Sequence, residues 1–217
     1  MTGRLVVTED LPGEAVRRFL QAAPRTFAVS GGSTPGPAYE ALSRADYDWT
    51  DVHAFMVDER CVPLGHPDSN FRMASETLLA RVPVIVHPMR GEDCDPDAYQ
   101  ADLRAHFGDV AVPSMDLVFM GIGDDGHTAS LFPGDPALEE SERWVVRVDR
   151  PGLPPPHPRL TLTFPVLNAA RLAIFLVSGA SKREPLGRML GGDMNSPAAR
   201  VWPQEVLVLA TPDAVPE

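Results

Sequence analysis

Apolar and polar residues follow two alternating rhythms along this chain. Short β-rich apolar runs occur at RLVV (4–7), VHAFMV (52–57), VPVIVH (82–87), WVVRV (144–148), RLTLTF (159–164) and VLVLA (206–210). MDLVFM (115–120) and RLAIFLV (171–177) are continuous apolar runs, as in strands buried on both faces. Between them lie stretches with apolar residues three and four apart: LPGEAVRRFLQAA (11–23), PGPAYEALSR (35–44), NFRMASETLLARV (70–82) and DPDAYQADLRAHF (95–107). In the third of these, Phe71, Ala74, Leu78 and Val82 share a face. A further helix is expected from Ser181, where Ser181 and Glu184 have capping-box spacing. This βαβα alternation predicts one α/β domain over 1–217, with a mainly parallel sheet and right-handed crossovers. PGLPPPHP (151–158) reads as an extended loop within that domain, since consecutive prolines continue neither helix nor central strand.

Composition narrows the function classes. The chain has 217 residues, 44% hydrophobic and 23% charged, which is ordinary for a globular protein with a sizeable core. No apolar run reaches 18 residues, and the acids in MTGRLVVTED interrupt any signal-peptide core, so membrane and secretory readings fall away and the cytoplasm is expected. Net charge is −11 and no basic run occurs, which excludes a nucleic-acid partner of the ordinary kind. Cys61 and Cys94 are too few for a disulfide framework or a zinc site, and Cys61 reads as a small buried hydrophobe. Lys182 is the only lysine among 19 Lys and Arg, so a compact ammonium is kept at one place only.

Four stretches carry candidate chemistry, each after an apolar strand, where open α/β sheets bind their ligands. In SGGSTPG (30–36), Gly31 and Gly32 permit a tight turn with free amides. Ser33 or Thr34 is expected to cap the helix opened by Pro35, and this is an anion-binding arrangement. VDERCVP (57–63) offers Arg60 for a bidentate contact to phosphate, with Asp58 or Glu59 to hold it. SGASKREP (178–185) places Lys182 in the first turn of a helix, an unfavourable place for a cation unless an anion also binds there. In GIGDDGHTASLFPG (121–134) the glycines have dinucleotide-fingerprint spacing. Asp124 and Asp125 would however set negative charge beside a diphosphate, and no first βα unit surrounds them. The stretch instead presents His127 at a strand-to-helix turn, two residues after Asp125, which suits a general base near neutral pH.

Taken together, SGGSTP, VDERCVP with SNFRMASETLL, GIGDDGHTASLFPG, RLTLTFPVLNAAR and SGASKREPL occur in the order and spacing of the 6-phosphogluconolactonases, so the chain from about Phe27 to Trp202 resembles that family. The resemblance implies an open three-layer α/β/α sandwich shared with glucosamine-6-phosphate isomerase/deaminase. It implies hydrolysis of 6-phospho-D-glucono-1,5-lactone to 6-phosphogluconate in the pentose phosphate pathway, without metal or cofactor. By resemblance His127 is the general base. Arg60 and Lys182 hold the phosphate beside the Gly31–Gly32–Ser33–Thr34 loop, and Asp58 and Asp125 orient Arg60 and His127. Arg60 and the run from Thr128 to Phe132 match the lactonase version of the motifs. A sugar-phosphate isomerase or deaminase and a non-catalytic sugar-phosphate sensor are the competing readings. Oligomeric state is left open.

Overall fold

The structure is a computed structural model describing residues 4–149 and 155–216; residues 151–154 of the expected proline loop lie outside the described residues. Ten strands and six α-helices are present among them. Seven strands form one parallel sheet: β1 (Arg4–Val7), β10 (Glu205–Ala210), β9 (Leu172–Val177), β6 (Leu117–Met120), β2 (Thr26–Val29), β3 (His53–Met56) and β5 (Ile85–Val86), in that spatial order. All four residues of β6 are buried, as are five of six in β9, which is why these strands read as unbroken apolar runs. The α/β fold with helices flanking a parallel sheet agrees with the sequence reading.

The helices begin where their capping residues stand. Asp10 accepts from the Gly13 amide at the start of α1 (Leu11–Ala22), with Pro12 in its first turn. Asp95 accepts from the Asp97 amide ahead of α4 (Pro96–Phe107). The buried face of α1 presents Phe19, whose ring lies 5.3 Å from Phe27, 5.1 Å from Tyr47 and 5.7 Å from Trp49. α2 (Pro35–Leu42) packs beside α1, and α6 (Arg183–Leu190) follows β9.

Several boundaries depart from expectation. The predicted helix over 70–82 splits into α3 (Asn70–Ala74) and a π-helical turn over Ser75–Leu79. There the Thr77 hydroxyl donates to the Met73 carbonyl at 2.8 Å, and the Ala80 amide reaches back five residues to Ser75. A short helix, α5 (Phe164–Ala169), begins at the last residue of the expected RLTLTF strand and runs on through residues to which the sequence pattern assigned no element. β7 (Val145–Val148) and β8 (Arg159–Leu162) do not join the parallel sheet. They form a separate antiparallel sheet with β4 (Asp58–Arg60), too short a strand to show periodicity.

Cys61 and Cys94 are disulfide-bonded, with Cα atoms 5.1 Å apart, which corrects the reading of Cys61 as an unpaired hydrophobe. The loop carrying Cys94 packs so tightly on the end of β4 that a Cβ at Gly91 would collide with the carbonyls of Arg60 and Val62. No spacing rule reveals such a loop-to-strand approach. No helix among the described residues is long and apolar enough to cross a membrane.

At the amino end of the sheet, Asp116 accepts from the amides of Arg25 (2.9 Å) and Thr26 (3.0 Å) and from Arg171 (3.1 Å), joining the entries of β2, β6 and β9. Burial pushes this carboxyl up, but the hydrogen bonds outweigh it and hold it below its usual value of 3.8. A carboxylate lowered on folding stabilises above its unfolded value, and the gain is lost as pH falls through the folded one. Asp116→Asn is therefore expected to cost about 1–2 kcal/mol at neutral pH. It should also flatten the loss of stability below pH 3.8, read from urea titrations at neutral pH and near pH 3.

Candidate functional site

Three neighbouring central strands, β9, β6 and β2, send their following loops to one place. After β2 the chain turns to β3 on one side, and after β6 to β9 on the other. The space above β2 and β6 is thus a topological switch point, where parallel sheets leave a crevice. A cleft of about 240 Å³ lies there. Gly31, Gly32, Ser33 and Thr34 line it from β2, His127 from β6 and Lys182 from β9, with Asp58 and Arg60 entering from β4. Asp125 stands behind His127 and does not line the cleft. Gly31 and Lys182, 151 positions apart in the sequence, are thereby brought to one cleft.

The doubled glycine has two separate causes. A Cβ at Gly31 would collide with the Asn70 side-chain carbonyl, and Gly32 has φ of 110°, which disfavours any side chain. The expected cap is absent: Thr34 has helical dihedrals and makes no side-chain cap bond. At Lys182 the capping box does not form either. A 3-10 turn over Ala180–Lys182 precedes α6, and Lys182 stands at the helix N-cap rather than within its first turn. Its ammonium donates to Asp124 at 2.6 Å.

The glycine turn after β6 serves the histidine. The Gly123 amide donates to the His127 carbonyl at 2.8 Å, and a Cβ at Gly123 would strike the imidazole ring itself. Gly126 adopts φ of 88°. No helix follows: the chain makes a tight turn closed by a bridge between Thr128 and Leu131, correcting the expected strand-to-helix turn. Asp125 Oδ1 lies 2.6 Å from His127 Nδ1 and accepts from the His127 amide at 3.0 Å. Burial raises the Asp125 carboxyl, but those bonds and the nearby imidazole outweigh it and hold the acid ionised below its usual range. A carboxylate at Nδ1 fixes the tautomer with hydrogen there, which leaves the Nε2 lone pair free. The Phe132 ring, 4.6 Å away, packs against the imidazole.

Asp58 and Glu59 are buried neighbours with different partners. Asp58 accepts from Ser130 Oγ at 2.6 Å and from Asn70 Nδ2 at 3.2 Å, so it ties the histidine turn to α3. It does not orient Arg60. That guanidinium donates instead to the Asp68 carbonyl at 2.8 Å, because β4 turns Asp58 toward the histidine turn and the 66–69 segment passes beside Arg60. Glu59 accepts from the amides of Arg60, Asn70 and Phe71 (each 2.7 Å) and from Ser69 Oγ (2.9 Å), fastening the start of α3.

Arg159, Asn70 and Ser130 belong to this constellation although sequence reasoning singled out none of them. Each lies within a motif quoted above, but only the fold shows where it points. Arg159 is buried and sits directly opposite Arg60 in the antiparallel β4–β8 pairing. Like charges so paired repel. Burial lowers the Arg159 guanidinium, Asp58 draws it back, and Arg60 lowers it again, for a net fall. Among the described residues, the buried side-chain polar atoms without a partner are Ser30 Oγ, Arg60 Nε and Asn70 Oδ1, and all three residues line this cleft. Two opposed guanidinium groups, the Lys182 ammonium held at Asp124 and unpaired polar atoms make a cleft suited to an anion, with a free imidazole nitrogen beside it.

Fold and site thus define a parallel α/β protein with a cleft at its switch point lined by Arg60, Arg159, Lys182 and His127. The chain belongs to the glucosamine-6-phosphate isomerase/6-phosphogluconolactonase family, whose profile matches residues 8–209. It is 42% identical to a 6-phosphogluconolactonase of Synechocystis sp. over 84% of this chain and 80% of that protein. It is 38% identical to one from Nostoc sp. with the same coverage. Among solved structures, 6-phosphogluconolactonase from Thermotoga maritima superposes with TM-score 0.85 at 28% identity, covering 96% of this chain and 99% of that one. A monomeric glucosamine-6-phosphate deaminase shares the fold at TM-score 0.76 and 21% identity, covering 99% of this chain and 98% of that one.

Proposed function

We propose that this chain hydrolyses 6-phospho-D-glucono-1,5-lactone to 6-phosphogluconate, with His127 as general base and Arg60, Arg159 and Lys182 as the phosphate-binding cations. The observation that carries the reading is the pairing of His127 Nδ1 with Asp125, on the rim of a cleft whose other wall sets Arg60 opposite Arg159. The family relatives named 6-phosphogluconolactonase support the same reaction.

Bound through its phosphate, the lactone presents its carbonyl carbon toward His127. Nε2 takes a proton from water as the water oxygen bonds to that carbon. The tetrahedral intermediate then collapses with cleavage of the bond to the ring oxygen. The imidazolium returns its proton to that oxygen, giving the open hydroxy acid, which ionises. No enzyme nucleophile is required, because a ring ester accepts water directly once water and carbonyl are positioned. Ionised Asp125 keeps the imidazole in the correct tautomer and stabilises the imidazolium formed in the first step.

The test is lactone opening, corrected for the spontaneous rate. Lys182→Ala is expected to raise KM roughly 10–100-fold, the worth of one charge-assisted contact, with kcat falling as well if phosphate binding sets the ring's position. A variant with unchanged KM would remove Lys182 from the phosphate site. Release of ammonia from glucosamine 6-phosphate, without lactone hydrolysis, would replace the reaction by that of the sister group.

A further inference from the structure

A second group of titratable side chains lies away from the cleft, and nothing in the reaction uses it. His53 opens β3, His87 directly follows β5, and His106 stands near the end of α4. The His87 amide donates to the Ala54 carbonyl at 2.9 Å, so His87 continues the β5 register and brings its ring alongside His53. Ring centroids are 4.1 Å apart for His53 and His106, 5.2 Å for His53 and His87, and 5.4 Å for His87 and His106. One ring nitrogen from each lies within 4.8 Å of the other two. None of the three lines the cleft that holds His127.

We propose that His53, His87 and His106 form a three-imidazole binding site for a divalent first-row transition ion, with Asp102 as the residue that orients His87. The donor set is the first argument. Nitrogen-only ligation suits Zn2+, Cu2+ or Ni2+ and excludes Mg2+ and Ca2+, which take oxygen. Spacing is the second. Three nitrogens each about 2.05 Å from a tetrahedral Zn2+ stand about 3.4 Å apart. One pair here, His53 Nδ1 and His87 Nε2, is at 2.9 Å, and the outer limit for the set is 4.8 Å, so small ring rotations close it.

Asp102 supplies the third argument. Its Oδ2 lies 3.0 Å from His87 Nδ1, the carboxylate–histidine arrangement that commonly backs a metal ligand and leaves Nε2 as the donor. With hydrogen on His87 Nδ1, the 2.9 Å bond to His53 is donated by His53 Nδ1. Metal binding moves that proton to His53 Nε2, and no net proton is lost. Packing alone explains only part of the cluster. The relay from Asp102 through His87 to His53 accounts for two rings, whereas the His106 ring makes no hydrogen bond among the described residues and rests on its neighbours. The aromatic walls are Phe55, 4.3 Å from His87 and 5.2 Å from His106, and Phe107, 4.7 Å from His106. All three histidines are partly exposed, which leaves an entry path and room for a water as fourth ligand.

The experiment is calorimetric titration of the purified, chelator-treated full chain with Zn2+, with Co2+ absorption as a second readout. The wild type is expected to take up one equivalent at the histidine trio and to give the visible bands of four-coordinate Co2+. His106→Asn should abolish the tetrahedral Co2+ spectrum. Asp102→Asn, on the more exposed helix surface, should keep the fold and weaken Zn2+ binding roughly 10–100-fold. Circular dichroism checks both folds, and if His106→Asn unfolds, Asp102→Asn decides. Absence of Zn2+ uptake by the wild type overturns the proposal. So does uptake unchanged in the variants, which would assign the ion to other donors such as His66, Asp68 and His157. Metal uptake is read without turnover, so this outcome is independent of the lactonase reading.

Discussion

Replacing His127 by alanine is expected to lower lactone hydrolysis, above its spontaneous rate, by roughly 10²–10⁴-fold with the fold intact. The size follows from losing proton transfer alone, since the cations and the loop at 31–34 would still bind and position the substrate. The fold should survive because His127 is partly exposed and its ring is held by one carboxylate and one phenyl contact. Kinetics on His127→Ala, alongside its thermal melt, check both halves of the statement. A fall in kcat with KM little changed supports a group acting in the transition state. Undiminished turnover would move the base to another residue.

Glu59→Ala is expected to be the most damaging single change to stability, at about 3–5 kcal/mol, or about 10 °C in melting temperature for a chain of this size. The side chain is fully buried and, among the described residues, three amides and one hydroxyl support it without a cationic partner. Burial pushes its carboxyl up, while these four donors draw it down. Removing the acceptor strands the donors at the start of α3 and leaves a cavity as well. Glutamine is no rescue. Ser69 can reverse its hydroxyl toward an amide nitrogen, but the backbone N–H groups cannot, so at least one faces another donor. Guanidinium unfolding of wild type, Glu59→Ala and Glu59→Gln measures the order. A Glu59→Gln variant as stable as wild type would mean that the carboxylate's acceptor capacity is not what holds α3.

Much of the fold was legible because burial on both faces writes itself into composition. β6 and β9 are read directly from LVFM and LAIFLV, and α1 and α4 from apolar residues three and four apart. The four loops were legible for a related reason: glycine, histidine and a lone lysine at strand ends are locally unusual. What escaped depends on distant pairings. β4 has three residues and exists only through β8, so neither the second sheet nor the opposition of Arg60 and Arg159 can be seen before register is known. Cys61 meets Cys94 through a loop that folds onto β4, a contact 33 residues apart with no local signature. The caps expected at Ser33 or Thr34 and at Ser181 failed because residue type permits a cap but backbone dihedrals decide it. Asp58 was expected beside Arg60 as a sequence neighbour but one, whereas its partners come from residues 70 and 130.

The smallest strand sets a limit on how this chain can vary in length. Along β4, Asp58 and Arg60 face the cleft while Glu59 between them points the other way and fastens α3, so neighbouring side chains serve opposite faces. Strand alternation makes those destinations a matter of parity. One residue inserted or deleted between Val57 and Arg60 would send the helix anchor into the anion cleft and bury an arginine where the amides of α3 need an acceptor. Loops elsewhere can lengthen or shorten over evolution, but here the count of residues is itself under constraint.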